Sequence, residues 1–315
     1  MALLQVDGVS VDMPLGSGLL SSARSLNILA DITLAMQPGE TLGLVGESGS
    51  GKTTLARAIL GLQRISGGTL RFQGQTLTRA SDFAAIRPRT ALMFQDAAAS
   101  LSPRMRVGDA ICEPFAINGH AVPDRQARAR DLLAEVGLPP EIAQRYPHEL
   151  SGGQARRVGV ARALALKPAL VIADEPTAGL DVSIQAEVLN LMGDLRDRHG
   201  LAYLIISHNL ALVRHVASRI AVMYLGRLVE TGPTTAVMAH PLHPYAQSLI
   251  AAEPRPDPRQ RRRDLAIKGE IPSVLRHPSG CAFHTRCPIA ESRCRTDAPA
   301  LRDLGDGRAV RCHLV

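Results

Sequence analysis

The chain has 315 residues, 45% of them hydrophobic, which is enough to build a substantial core and excludes general disorder. The net charge of +7 comes without a nucleic-acid-binding motif or an aromatic stacking platform, so we expect no nucleic-acid partner. No apolar run approaches the ~20 residues needed to span a bilayer, and the N-terminal residues lack the pattern of a signal peptide. These features predict a cytosolic protein.

The predicted elements alternate between short apolar strands and helices. Strands are expected at 3–7, 28–36, 41–45, 90–95, 169–173 and 202–207, with a Gly/Ser-rich loop between the first two. Helices are expected at 52–62, within the helix-rich stretch 105–165 (most clearly at 122–138), and at 183–200, which ends in a glycine. This alternation predicts an α/β domain with a mainly parallel sheet. After residue 253 the composition changes to Pro, Arg and Cys.

A phosphate-binding loop is predicted where the chain reads GESGSGKT (46–53), between a strand and a helix. Glycines let the backbone N–H groups of such a loop point at phosphate oxygens, and the following helix adds its positive N-terminal end. The lysine reaches the β- and γ-phosphates, and the next hydroxyl ligates Mg²⁺. The expected nucleotide-binding residues are Gly46, Glu47, Ser48, Gly49, Ser50, Gly51, Lys52, Thr53 and Thr54.

Polar residues that end the other predicted strands are candidates for the chemistry. Asp174 and Glu175 follow the strand predicted at 169–173. An acid at the end of this strand can bind the Mg²⁺ held by Thr53, and we assign that role to Asp174. Glu175 is then free to orient and polarise the attacking water. Parallel strands carry ligands at their carboxyl ends, so we expect Gln95 to contact Mg²⁺ or the water and His208 to bond the γ-phosphate.

Three further motifs carry a family resemblance. LSGGQ (150–154) matches the signature motif of ATP-binding cassette (ABC) ATPases, AGLD (178–181) resembles their D-loop, which includes Asp181, and His208 resembles their switch histidine. All the motifs occur in the family's order. The resemblance implies an ATPase with the ABC-type P-loop fold, which has a mainly parallel sheet, an antiparallel β part and a helical subdomain at about 96–165.

Other segments resemble the ATPase subunits of oligopeptide/dipeptide importers. These are QDAAASLSPRM (95–105), HPLHPYAQSLIAAEP (240–254) and GEIPSVLRHPSGCAFHTRCPIA (269–290). The resemblance implies a cassette over 1–253, a Pro/Arg-rich linker over 254–263 and a C-terminal extension over 264–315. Three positions depart from the family pattern without removing a phosphate or metal ligand: Met13 stands where an aromatic usually stacks on adenine, Ala97 replaces a proline, and Asn209 replaces an aspartate.

The resemblance also implies partners. In this family the signature motif of one subunit covers the phosphate loop of another, so Ser151, Gly152, Gly153 and Gln154 would act at the partner's ATP site. The second cassette would be a copy of this chain or a paralogue. Two membrane permease subunits and an extracytoplasmic substrate-binding protein would complete the importer, with this chain peripheral at the cytoplasmic face of the membrane.

The cargo and two other functional classes stay open. Peptides are the expected cargo, and related importers carry nickel, glutathione or sugars. The alternatives to an importer are a soluble cassette ATPase of the translation or repair type and a redox- or iron-sensing protein that borrows a cassette. The chain has one phosphate loop and no sustained heptad pattern, whereas translation-type members fuse two cassettes and repair-type members insert a coiled coil.

Four cysteines gather in the C-terminal segment: Cys281, Cys287, Cys294 and Cys312. A cytosolic setting disfavours disulfides, and a short polar segment needs a cross-link, which a metal centre supplies. The gaps of five, six and seventeen residues are wider than the paired spacing typical of zinc and suit a [4Fe–4S] cluster. The resemblance to the extension of peptide-importer ATPases implies the same centre.

Charged and imidazole side chains flank these cysteines. Arg286, Arg293, Arg295 and Arg311 are expected to favour thiolates and to offset the negative charge of a cluster. Zinc, with His284 or His313 as substitute ligands, is the alternative metal, and four unconnected buried thiols are a third possibility. The isolated Cys112 is expected to be an ordinary buried residue.

Overall fold

The computed structural model describes residues 1–15, 24–253, 272–273 and 277–315. Residues 16–23 of the predicted Gly/Ser-rich loop, the linker over 254–263 and the start of the extension lie outside these ranges. The chain forms two compact units. The first comprises Met1–Leu3, Met36–Glu40 and Arg79–Ile206, and the second comprises Leu4–Ala35, Thr41–Thr78 and Ser207–Val315.

The strands of the described residues are numbered in chain order. They are β1 (Leu4–Leu15), β2 (Arg24–Met36), β3 (Thr41–Val45), β4 (Gly67–Phe72), β5 (Gln75–Leu77), β6 (Thr90–Met93), β7 (Leu170–Asp174), β8 (Ala202–Ser207), β9 (Arg219–Tyr224), β10 (Arg227–Pro233), β11 (Arg302–Gly305) and β12 (Arg308–Val310).

The α-helices of the same residues are numbered likewise. They are α1 (Lys52–Ile59), α2 (Ala80–Ile86), α3 (Val107–Ile117), α4 (Arg125–Glu135), α5 (Gly152–Leu164), α6 (Val182–His199), α7 (Leu210–Val216), α8 (Thr234–Ala239), α9 (Pro244–Ala251) and α10 (Arg293–Thr296). None of these helices combines the length and the apolar character that crossing a bilayer requires.

The first unit contains the parallel strands β6, β7 and β8 together with α2 to α6. Strands β7 and β8 are almost wholly buried apolar runs, as is typical of parallel strands that are covered on both faces. The helix-rich stretch predicted at 105–165 is confirmed as α3, α4 and α5. The helix predicted at 183–200 is confirmed as α6, which ends at Gly200 in the left-handed conformation (φ 66°).

The second unit contains two sheets. In one, the strand order is β2-β1-β4-β5, and β4 pairs antiparallel with both β1 and β5. In the other, β3 pairs parallel with β9, and β9, β10, β12 and β11 continue antiparallel. The C-terminal strand β12 therefore extends the sheet that contains β3. This pairing gives the C-terminal segment a core to pack on without a cross-link of its own.

Candidate functional site

The phosphate loop of the second unit runs from the end of β3 into α1. Its glycines have positive φ angles at Gly46 (155°), Gly49 (77°) and Gly51 (103°). A Cβ atom at Gly46 would lie 2.1 Å from the carbonyl oxygen of Met223 on β9, and one at Gly51 would lie 2.8 Å from a methyl group of Leu29. The loop therefore needs glycine at these two positions, for its conformation and for the close approach of its neighbours.

Lys52 closes the loop onto itself. Its ammonium Nζ donates to the carbonyl oxygens of Gly46 (2.7 Å) and Glu47 (2.9 Å) and lies 3.4 Å from the Ser50 hydroxyl. The lysine is 8% exposed and Ser50 is 3% exposed. The side chain thus emerges from the first turn of α1 and folds back over the loop, as the sequence predicted for a lysine that reaches bound phosphates.

Two other predicted site residues belong to the same unit. His208 is exposed and directly follows β8, while Met13 lies on β1 and is 42% exposed. Asn209, which replaces the family's usual aspartate, caps α7, since its side-chain oxygen accepts from the N–H of Leu212 (3.1 Å). Asparagine and aspartate cap helices about equally well, so this departure preserves the local structure.

The first unit brings three predicted site residues to one edge of its parallel sheet. Met93 of β6 pairs in register with Ala173 of β7, so Gln95 and the pair Asp174–Glu175 follow neighbouring strand ends. Glu175 adopts a left-handed conformation (φ 50°). Its backbone N–H donates to the carbonyl of Ile206 (2.9 Å), and its carbonyl accepts from Ala178 (3.1 Å). These contacts hold a conformation that is unfavourable for a non-glycine residue.

The predicted signature motif begins α5. Ser151 is its N-cap and forms a capping box with Gln154, in which each side chain accepts a hydrogen bond from the other residue's N–H (3.2 and 3.1 Å). Ser151 and Gly152 are exposed. The serine hydroxyl accepts in this box and retains its own proton for donation. An exposed helix N-terminus with a free hydroxyl proton suits an anionic ligand.

Arg156 is a site residue that the sequence analysis missed. It lies on α5, is 4% exposed, and donates to the carbonyls of Phe94 (3.1 Å), Gln95 (2.9 Å) and Ala178 (3.0 Å). Burial lowers the pKa of its guanidinium, and nearby Asp96 raises it. Arg156 therefore joins the helix of the signature motif to the Gln95 segment and to the D-loop. Its position two residues after the motif is the one available sequence signal.

The predicted D-loop aspartate begins the next helix. Asp181 is the N-cap residue of α6 and is exposed, and its neighbour Val182 is 83% exposed. The side-chain amide of Gln185 donates to the carbonyl of Leu180 (2.8 Å), which holds the loop against the first turn of the helix. Like the signature motif, this loop ends at a helix N-terminus with an exposed N-cap side chain.

Comparisons with known proteins agree with this geometry. A family model described as "ABC transporter" matches residues 29–178, and one described as "Oligopeptide/dipeptide transporter, C-terminal region" matches 229–294. A probable peptide ABC transporter ATP-binding protein of Sinorhizobium fredii is 47% identical over 99% of this chain and 90% of its own length. The di/tripeptide transport ATP-binding protein DppF of Pseudomonas aeruginosa is 45% identical over 94% of this chain and 92% of its own length.

The chain belongs to the ATP-binding subunits of the oligopeptide/dipeptide ABC importers. The oligopeptide transport ATP-binding protein AppF of Bacillus subtilis, 41% identical over 99% of this chain and 97% of its own, is a further relative. The expected ATPase activity and the expected α/β P-loop fold are thereby confirmed.

Solved structures show the same fold. CbiO1 of Clostridium perfringens, part of the transporter complex cbiONQ, has a TM-score of 0.66 at 25% identity and covers 76% of this chain and 91% of its own. A dimeric ATP-binding cassette in a post-hydrolysis state, bound to ADP and phosphate, has a TM-score of 0.65 at 24% identity. The match covers 73% of this chain and 98% of that cassette. The second likeness concerns the fold alone.

The four C-terminal cysteines of this ABC ATPase all lie in the second unit as free thiols. Burial raises the pKa of Cys281 and of Cys287, and in both cases the neighbouring cysteines raise it further. Within the described ranges, no group of three or more His, Cys, Asp and Glu side chains is placed to hold a metal ion. The structure therefore does not support the iron–sulfur centre or the zinc site expected from the sequence.

The expected role of the arginines beside these cysteines is wrong for three of them. Arg286 pairs with Glu47 (2.7 Å), and Arg311 pairs with Asp31 (2.9 Å). Arg293 lies 2.6 Å from Nδ1 of His313, whose other ring nitrogen contacts the carbonyl of Asp297. The two carboxylates and the imidazole accept hydrogen bonds from these guanidinium groups.

Of the two histidines offered as substitute zinc ligands, His313 is engaged through both ring nitrogens and His284 through one. Both ring nitrogens of His313 have the partners just described, and Nδ1 of His284 contacts the carbonyl of Cys281 (2.9 Å). Cys112, by contrast, is fully buried on α3, as predicted for an ordinary core residue.

Proposed function

We propose that this ATPase powers the import of peptides or dipeptides through a membrane complex. The observation that carries the proposal is the match of residues 229–294 to the C-terminal region of oligopeptide/dipeptide transporters, joined to a complete phosphate loop on the same chain. The relatives in Sinorhizobium, Pseudomonas and Bacillus are named for peptide, di/tripeptide and oligopeptide transport, which supports peptide cargo. Nickel, glutathione or another small solute is the alternative cargo.

The proposed chemistry assigns one role to each strand-end residue. Glu175 polarises the attacking water, His208 bonds the γ-phosphate, and Gln95 contacts Mg²⁺ or the water. Mg²⁺, with Thr53, Gln95 and Asp174 as its proposed ligands, would neutralise charge on the phosphates. The lysine of the loop, folded over the Gly46 and Glu47 carbonyls, supports the proposed contact with the β- and γ-phosphates. Met13 is proposed to contact the adenine ring through its thioether.

The proposed partners follow from the same family membership. Two permease subunits would carry the cargo path, and a substrate-binding protein would deliver cargo to them from outside. This chain would be peripheral at the cytoplasmic face of the membrane. A second cassette, either a copy of this chain or a paralogue, would complete each ATP site with its signature motif.

Co-expression with candidate permeases tests the proposal. The chain should co-purify with two permease-like membrane proteins, and vesicles containing the complex and its binding protein should take up labelled di- or oligopeptides when ATP is supplied. Uptake of nickel or glutathione without peptide uptake would favour the alternative cargo. ATP hydrolysis without permease association would contradict an importer and favour a soluble cassette ATPase.

The pairing of cassettes predicts an effect on the partner's site. In a complex with a paralogous ATPase, Ser151→Arg should lower hydrolysis at the site built on the paralogue's phosphate loop by at least about tenfold, because a charge-assisted donor is lost. The measurement is single-site turnover, with the other site inactivated at its own phosphate-loop lysine. A defect confined to the site containing Lys52 would contradict the arrangement.

The control for Ser151→Arg must separate catalysis from helix capping. Asp124 caps α4 in the same unit by accepting from the N–H of Ala127 (2.8 Å), much as Ser151 caps α5. Asp124→Arg should cost a similar helix-capping free energy of about 1 kcal/mol. It should leave hydrolysis at both sites within about twofold of wild type.

An iron–sulfur centre stays a prediction with its own test. It is motivated by the number and spacing of the four cysteines, all of which belong to the second unit. Protein purified without oxygen should contain about four irons and four acid-labile sulfides per chain, and Cys294→Ser should lower both. Cys112→Ala, at an unrelated buried thiol, should change neither. Four titratable thiols without metal would contradict the prediction, as would stoichiometric zinc without sulfide.

A further inference from the structure

The C-terminal segment packs beside the phosphate loop through an aromatic cluster. Phe283 is 1% exposed, and its ring lies 5.2 Å from that of Tyr224 and 5.4 Å from that of Tyr245. Both tyrosine rings are also fully buried, and they lie 4.6 Å apart. Such edge-on aromatic contacts stabilise a fixed arrangement beyond simple burial. The segment around Phe283 is therefore docked at a defined position within the second unit.

Three residues after Phe283, Arg286 reaches the phosphate loop. Its guanidinium donates to both carboxylate oxygens of Glu47, at 2.7 and 3.0 Å, and lies 3.4 Å from the hydroxyl of Tyr224. The arginine side chain is 5% exposed and that of Glu47 is 23% exposed. The hydrogen bonds to Glu47 raise the pKa of the guanidinium despite its partial burial. This is the bidentate geometry in which arginine binds carboxylates most strongly.

Every polar group of Glu47 is held in this arrangement. Its backbone N–H donates to the hydroxyl of Tyr245 (2.8 Å), its carbonyl accepts from Lys52 (2.9 Å), and its carboxylate accepts from Arg286. Glu47 is the second residue of the loop that is to receive a polyanion. An unpaired carboxylate at this position would repel phosphate oxygens, and a loosened residue would disturb the neighbouring Gly46.

We propose that Arg286 is a positioning residue for the phosphate loop. By pairing with Glu47, it neutralises a negative charge beside the phosphates and fixes the second residue of the loop, which raises the affinity for ATP. The C-terminal extension thus contributes to nucleotide binding from a place far along the chain. The inference rests on the proposed role of the loop in binding ATP.

The test measures ATP affinity in Arg286→Gln. The Kd for ATP should rise about tenfold, because the unpaired Glu47 carboxylate would then repel the phosphate oxygens beside it. In steady-state hydrolysis, KM should rise by a similar factor while kcat stays within about twofold, because the contact serves binding rather than the chemical step. Wild-type affinity in a folded Arg286→Gln protein would overturn the proposal.

A second substitution distinguishes charge pairing from simple docking of the extension. In Arg286→Gln/Glu47→Gln no unpaired carboxylate remains, so most of the ATP affinity should return. If the double variant binds ATP no better than Arg286→Gln, Arg286 acts only as a structural contact and the proposal is wrong. Should Arg286→Gln fail to fold, Arg286→Lys replaces it: an ammonium cannot reproduce the fork, and the Kd should rise about threefold. No rise would again overturn the proposal.

The chain offers a matched control. Arg308 pairs with buried Glu230 at the same distance, 2.7 Å, and also joins the extension to the sheet of the second unit, but neither residue belongs to the phosphate loop. Arg308→Gln should leave the Kd for ATP within about twofold. An equal loss of affinity in Arg308→Gln would indicate general loosening and overturn a specific role for Arg286. Absence of ATP binding by wild type would instead refute the proposed function itself.

Discussion

Glu175→Gln is expected to leave ATP binding intact and to lower ATP turnover by at least about 100-fold, the usual contribution of a general base. Glutamine has the same shape, so the backbone contacts of residue 175 with Ile206 and Ala178 can persist. It cannot accept a proton from the attacking water. The variant should therefore accumulate as an ATP-bound dimer, which size-exclusion chromatography with ATP and Mg²⁺ detects alongside a turnover assay.

The control for this substitution is Glu187→Gln on α6. Glu187 pairs with Arg157 (2.7 Å), but its side chain is 60% exposed, so the pair contributes little to stability. The same chemical change at Glu187 should keep turnover within about twofold of wild type. Wild-type turnover in Glu175→Gln would refute the role assigned to Glu175. Loss of ATP binding in that variant would show instead that the carboxylate serves the bound nucleotide.

The central strands and the phosphate loop were predictable because their signals are local. Strands β3 and β8 begin and end at the predicted residues, since buried parallel strands are unbroken apolar runs. The predicted helix at 52–62 is too long, because the chain leaves α1 at Leu60 and Gly61 is left-handed (φ 69°). The strand predicted at 90–95 ends at Met93, where Arg156 binds the next two carbonyls.

The long-range contacts of the site had no local signal. Glu47 and Arg286 are 239 positions apart, and neither residue type nor spacing indicates that they meet. The sequence pattern instead assigned Arg286 to the adjacent cysteines, because neighbours along the chain are the only partners that a sequence shows directly. Burial decided the outcome, since a guanidinium that loses water needs a charged acceptor, and the Glu47 carboxylate provides two oxygens.

The spacing of the four cysteines likewise does not show which distant residues their segment contacts. Gaps between ligands constrain which residues can meet, but the positions of the sulfur atoms depend on what else the segment packs against. Here the segment packs Phe283 onto Tyr224 and Tyr245 and adds β12 to a sheet. A short polar tail requires a metal centre to fold only where it has no other part of the chain to pack on. The packing of Phe283 and the pairing of β12 within the second unit remove that requirement.

Lys52→Ala is expected to weaken ATP binding by about 10- to 100-fold, because hydrogen bonds from a charged donor contribute about 1.5–3 kcal/mol. Lys52 is also one of few lysines in the chain, beside Lys167 and Lys268. Its ammonium donates to the Gly46 and Glu47 carbonyls within the loop. The substitution should therefore lower the melting temperature of the protein without ATP as well. The two effects must be measured separately.

Thermal unfolding with and without ATP separates the two effects, in the Glu175→Gln background so that ATP is not consumed. At an ATP concentration 100 times the Kd, binding adds about 2.7 kcal/mol to the free energy of unfolding. If Lys52→Ala raises the Kd about 100-fold, the same concentration adds only about 0.4 kcal/mol. Lys167→Ala, at an exposed lysine, should keep the full increment. A full ATP-dependent increment in Lys52→Ala would mean that residues 46–53 are not the phosphate site, whatever happens to the melting temperature without ATP.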